Sequence, residues 1–121
     1  MDIETTIDGI PVTVTEGAYA NGRKINEQGR AFIRELIAAL DAAREFAGVQ
    51  LVEVYNEGWL GEGEAALSDA ELAAGLSHPS LLVFDEPGEA SYYFDDNGLF
   101  GGQFVEVMVA DNEIIDADLV S

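Results

Sequence analysis

The sequence predicts an α+β fold: an antiparallel sheet, built from an N-terminal hairpin and a C-terminal four-stranded meander, with one long and one short helix packed on one face. Three observations predict it. Runs rich in Ile, Val and Thr open the chain, and strand-like runs fill its last 41 residues. Between them the apolar period lengthens from two to that of a helix. Turn dipeptides then divide the strand-like ends into short segments. A chain of 121 residues forms one domain, residues 1–121.

IETTIDGIPVTVTE reads as a hairpin, because Asp8-Gly9 accepts the positive φ of a two-residue turn. EGAYANGRKI follows as a loop. From Asn26, which can cap a helix, Ile33, Leu36, Leu40, Ala43 and Ala47 recur at three and four residues. Asp41 and Arg44 are spaced as a helical ion pair. Gly48 either ends this helix, leaving VQLVEVY as a strand, or lies within it. Leu51, Val54 and Gly58 continue the stripe, and an interior glycine costs only about 1 kcal/mol. One helix to about Asn56, bent at Gly48, is therefore expected.

NEGWLGEGE is a glycine-rich acidic loop, and Ser68 with Glu71 then forms a capping box for a short helix that Gly75 stops. Ser77-His78-Pro79 leads into the strands SLLVF, ASYYF, QFVEVMVA and EIIDADLV. Glu86-Pro87-Gly88 and Asp111-Asn112 are turns between them.

Charge carries the strongest functional signal. The net charge is −19, with 24 acidic residues against Arg23, Lys24, Arg30, Arg34 and Arg44. Residues 45–121 hold 17 of the acids and neither Lys nor Arg. Such a field repels nucleic acid and anionic lipid and attracts basic proteins, so a basic protein partner is expected and direct nucleic-acid binding is not. No apolar run reaches the ~18 residues of a membrane span, and MDIETTIDGI lacks the basic and apolar regions of a signal peptide. With no cysteine as well, a cytoplasmic protein is expected. A 48% hydrophobic content and a mean hydropathy of +0.08 fit a folded core despite the acidity.

No chemistry-bearing constellation emerges. Asp95, Asn97 and Glu106 match the first, third and last positions of a calcium loop, but Leu99 and Phe100 stand where an oxygen ligand and the turn glycine belong. That leaves at most a loose pair, Asp95 with Asp96, and no metal is assigned. Gly98, Gly101 and Gly102 fit neither phosphate-binding fingerprint. His78 has no nucleophile–base partner beyond Ser77 and Ser80 and reads as a turn residue. Carboxylate pairs such as Glu62 with Glu64 arise by chance among 24 acids. No cofactor, no catalytic residue and no enzymatic role is expected. Trp59 has two readings: an interface anchor ringed by Glu57, Glu62 and Glu64, or a core residue folded over the sheet.

VEVYNEGWL, LSDAEL, LLVFDEPGEASYYFDDNGLFGGQFVEV and NEIIDADLV together resemble a family of small acidic bacterial proteins classed as a domain of unknown function. Its pattern is a helix ending in YxxxW, a short helix, YYDDGDLFxGHxIEV and then GxIxDAxL. The resemblance spans about residues 50–120. It implies a single-domain cytoplasmic protein and supports the helical reading of residues 49–56; related families are suggested to be immunity proteins for polymorphic toxins. Gln103 stands where the family has histidine, and Asn97-Gly98 replaces a Gly-Asp pair.

The functional expectation is an acidic, non-enzymatic binding protein that occludes a basic surface of a protein partner such as a toxin. Its contact residues would be Glu57, Trp59, Glu62, Asp95, Asp96, Phe100 and Gln103. The alternatives are a DNA-mimic inhibitor of a nucleic-acid-binding protein, or acidity that serves solubility at high salt.

Overall fold

The computed structural model describes residues 2–120. Strands β1 (Asp2–Ile7) and β2 (Ile10–Thr15) form the expected hairpin. Asp8 and Gly9 take φ of 52° and 77°, the left-handed pair of a type I′ turn. The following stretch, expected as a loop, contains a two-stranded ribbon, β3 (Ala20–Asn21) with β4 (Lys24–Ile25). Helices α1 (Glu27–Ala38), α2 (Leu40–Gly58) and α3 (Asp69–Ala74) precede strands β5 (Ser77–Val83), β6 (Ala90–Asp95), β7 (Phe104–Ala110) and β8 (Glu113–Val120).

The sheet is mostly antiparallel, as expected, but its hairpin and meander are joined differently from the antiparallel arrangement expected. All six long strands share one sheet, in the order β1-β2-β5-β6-β7-β8. The β5–β8 part is antiparallel throughout, but β2 pairs with β5 in parallel, through Val12↔Leu81, Thr13↔Leu82 and Val14↔Val83. A parallel pair needs a long crossover, and the three helices supply it.

The single long helix is also corrected. It breaks at Ala39 rather than bending at Gly48. The break coincides with a side-chain bond to one helix carbonyl. The buried Tyr92 hydroxyl donates to the Leu36 carbonyl, the oxygen that a continuous helix would offer to the N–H of Leu40. Ala39 adopts φ −94°, ψ 11°, and α2 restarts from its carbonyl, which accepts from Ala43 N. Gly48 lies inside α2 because α3 crosses it closely: a Cβ there would lie 2.3 Å from the Asp69 carbonyl oxygen. Leu51 and Tyr55 form the buried stripe of α2, whereas Val54 is exposed.

Both capping signals hold. Asn26 Oδ1 accepts from Gly29 N at 2.7 Å, and Ser68 and Glu71 complete a reciprocal capping box. Arg44 bonds Asp41 at 3.0 Å, donates to the Leu76 carbonyl and lies over the Phe94 ring, tying α2 to the start of β5 and to the sheet.

The helices cover one face of the sheet. Val12, Val14, Leu81, Val83, Tyr92, Phe94, Val105 and Val107 are buried there against Phe32, Ile33, Leu36, Ala47 and Leu51. The opposite face carries no helix, and its strand positions alternate as polar or half-buried residues. No helix is long and apolar enough to cross a membrane.

Candidate functional site

The expected contact residues fall at two neighbouring connections: Glu57 in the last turn of α2 with Trp59 and Glu62 in the loop that follows, and Asp95 at the end of β6 with Asp96, Phe100 and Gln103 in the β6–β7 loop. Asn56 shapes the first. Its side chain donates to the Leu67 carbonyl and accepts from Leu67 N, both at 2.9 Å, which pinches the ends of the 57–66 segment together. Glu64 accepts from Gly61 N at 2.8 Å, and Glu57, Glu62 and Glu64 are all exposed.

Trp59 is partly core and partly exposed. Its ring meets Phe100 edge-on at 5.7 Å, yet 40% of the residue is exposed. Gly101, at a φ of 77° that favours glycine, lies against the ring.

The β6–β7 loop overturns two assignments. Asp96 is completely buried, so it makes no partner contact and forms no cation pair with Asp95. Its carboxylate accepts four backbone N–H groups: Gly98 on Oδ1, and Phe100, Gly102 and Gln103 on Oδ2, at 2.9–3.1 Å. Positive φ at Asn97, Gly98, Gly101 and Gly102 aims those amides inward, forming a concave nest whose anion is the protein's own side chain. Burial alone would raise the Asp96 carboxyl, but the four donors outweigh it and hold it below the ordinary range. Phe100 is likewise removed from the surface, because it is fully buried between Tyr55 and Trp59. Asp95 is half-buried and accepts from Asn97 N, and Gln103 donates from Nε2 to the Phe100 carbonyl at 3.2 Å. The β6–β7 connection is thus a folded loop that supports Trp59.

A second group of residues was not anticipated. On the uncovered sheet face, Glu106 of β7 stands directly opposite Asp118 of β8 on one side and Tyr93 of β6 on the other. Ser91 Oγ and Tyr93 Oη both donate to Glu106 Oε2 at 2.8 Å. Burial, and then the neighbouring Glu106, push the Tyr93 hydroxyl up. Asp116 follows on β8, and Phe104, 52% exposed, stands opposite Asp95. Strand alternation could have placed Glu106 and Asp118 on one face. Their pairing depends on the bulge between Met108 and Val109, which shifts the register.

Like charges directly opposite on a sheet are destabilising. Glu106 and Asp118 carry that cost with no cation against them among the described residues. Also among the described residues, no group of three or more His, Asp or Glu side chains could hold a metal ion. His78 bonds Ser77 Oγ through Nδ1 at 3.0 Å within the irregular start of β5, at φ 51°. No protein-family model, curated protein or solved structure matches the chain.

Proposed function

We propose that the protein is a cytoplasmic, non-enzymatic binding protein that uses an acidic surface to occlude a basic surface of a protein partner, in the manner of an inhibitor or immunity protein. The observation that carries this reading is the opposed pair Glu106–Asp118 on the uncovered sheet face. A carboxylate held by Tyr93 and Ser91 against a second carboxylate is a cost to the free protein. A partner's Arg or Lys entering between them removes that cost, which ties specificity to the complex. Trp59 supplies the second element, an aromatic ring packed on Phe100 yet 40% exposed, with Glu57 in the last turn of α2 and Glu62 in the loop beyond it. The resemblance to small acidic bacterial proteins associated with immunity points the same way.

The test begins with the immobilised protein, a low-salt lysate of the source organism and elution by a salt gradient. A basic protein recovered in this way is then measured against variants. Asp118→Asn should slow association at low salt and flatten its salt dependence, since exposed charges act through steering. Trp59→Ala should speed dissociation by roughly 30-fold, as for an anchor worth about 2 kcal/mol. Unchanged rates for both variants would refute the reading. Displacement of the partner by duplex DNA would replace it with the DNA-mimic reading. No retained protein, together with strong stabilisation by salt, would leave acidity as a solubility device.

A further inference from the structure

The sheet has two edges, and the chain treats them differently. Along β8, Asp116 Oδ1 accepts from Ala117 N at 2.9 Å and Asp118 Oδ1 accepts from Leu119 N at 2.8 Å. The donors that would recruit another strand are occupied by the strand's own carboxylates, one of the ways an edge is closed to pairing. At β1 the type I′ turn fixes the pattern. Its closing pair, Ile7↔Ile10, exchanges both hydrogen bonds, so by alternation Asp2, Glu4 and Thr6 turn their N–H and C=O groups outward. Among the described residues, no side chain or backbone group covers them.

The surroundings of that edge are chemically distinct from the rest of the molecule. Ile3, Thr5 and Ile7 on the helix side of β1 are only half-buried. They line an open groove of about 280 Å³ together with Arg23, Lys24 and Arg30. A second groove continues from it past Arg30 to Arg34. All four cations are exposed, and among the described residues none makes an ion pair. In a chain with 24 acids, four of the five cations gather here, with Glu27 the one acid lining the two grooves. On the other side of β1, Asp2 and Glu4 point away from the helices and are exposed.

We propose that the open edge of β1 is a strand-addition site for an extended segment of a protein partner that carries carboxylates on alternate residues. Main-chain bonds to Asp2, Glu4 and Thr6 supply the pairing. The segment's acidic side chains lie over the groove, where their stems cover Ile3 and Ile7 and their heads meet Arg23, Lys24 and Arg30. Its other side chains are neutral, because they face Asp2 and Glu4. A second copy of this chain fits poorly. Pairing β1 with itself about a two-fold axis would bring a second set of the same cations against the first, between two molecules each of net charge −19. This site is independent of the acidic face and does not depend on its reading.

The test uses the full chain at low ionic strength, amide hydrogen exchange, and an acetylated octapeptide of alternating Glu and Thr as probe. At saturation the peptide should slow exchange at Glu4 and Thr6 by about tenfold or more, while Ala117 and Leu119 are unchanged. A matching peptide of Lys and Thr should give no protection there, although the protein's net charge attracts it. Arg30→Glu, an exposed substitution, should weaken binding of the acidic peptide about tenfold. Glu4→Pro removes one edge donor and leaves the bonds to β2 in place, so it should abolish protection at Thr6. Absence of protection by the acidic peptide, or equal protection by the basic one, would overturn the proposal. So would a dimer in sedimentation whose β1 amides are already slow without peptide, since the occupant would then be a second copy.

Discussion

Removing the charge from Asp96 tests whether the β6–β7 loop is organised around that carboxylate. Asp96→Asn preserves shape but can satisfy fewer donors. With the amide nitrogen turned toward Gly98, that N–H loses its acceptor, and the bonds from Phe100, Gly102 and Gln103 become neutral ones. A charge-assisted bond contributes about 1.5–3 kcal/mol against about 1 for a neutral one, and such terms are not additive, so the expected loss is about 3 kcal/mol. In urea, with a slope near 1.5 kcal/mol/M, the midpoint should fall by about 2 M. The acid limb supplies the sign. A depressed carboxyl contributes stability that is present above its unfolded value near 3.8 and is lost as pH falls through its lower folded value. The gap between the two proteins should therefore be full at pH 7 and close below about pH 4. Comparing the two proteins isolates Asp96 from the remaining carboxylates, whose mutual repulsion also changes with pH. Because Phe100 and Trp59 rest on this loop, the emission of the sole tryptophan should shift to the red in the variant. A midpoint shift below about 0.3 M, or a gap that persists in acid, would refute the reasoning.

Two further outcomes follow from buried contacts. Gly48→Ala would gain about 1 kcal/mol of helix propensity on an exposed helix, but here the new methyl meets the Asp69 carbonyl at 2.3 Å, so the melting curve should show a net loss of about 2 kcal/mol. Tyr92, whose hydroxyl burial pushes up to about 12, contributes stability that is whole below pH 10 and lost as pH rises through about 12. Tyr92→Phe should cost about 1 kcal/mol at neutral pH and flatten the decline across that alkaline window; an unchanged decline would count against Tyr92 as its source.

What the sequence made legible is what local chemistry decides. Asn26, Ser68 with Glu71, Asp8-Gly9 and Asp111-Asn112 each act within a few residues, and each performs as its type requires. The misses are non-local. The helix break at Ala39 coincides with a bond from Tyr92, 56 residues beyond Leu36, and no glycine or proline marks the break itself. Asp96 looked like a surface carboxylate because it sits in a DDNG turn. Only the backbone shows that Gly98, Gly101 and Gly102 fold their segment back onto it. Trp59 could not be divided between core and surface from sequence, since its ring is shared between Phe100 and solvent. Glu106 and Asp118 belong together through a register that a bulge resets.

The parallel join between β2 and β5 has a kinetic consequence. Every other pairing in the large sheet links strands adjacent in the chain, so the hairpin and the β5–β8 meander can each close over short loops. Joining them requires Val12 to find Leu81 across the whole helical segment, for a seam of three paired positions helped by Ala18 N to the Asp85 carbonyl and Gly88 N to Tyr19 Oη. Closure of so long a loop places this step late in folding. A rate-limiting barrier at that junction would make substitutions at Val12 or Val14 change the folding rate, and substitutions in β7 or β8 chiefly the unfolding rate.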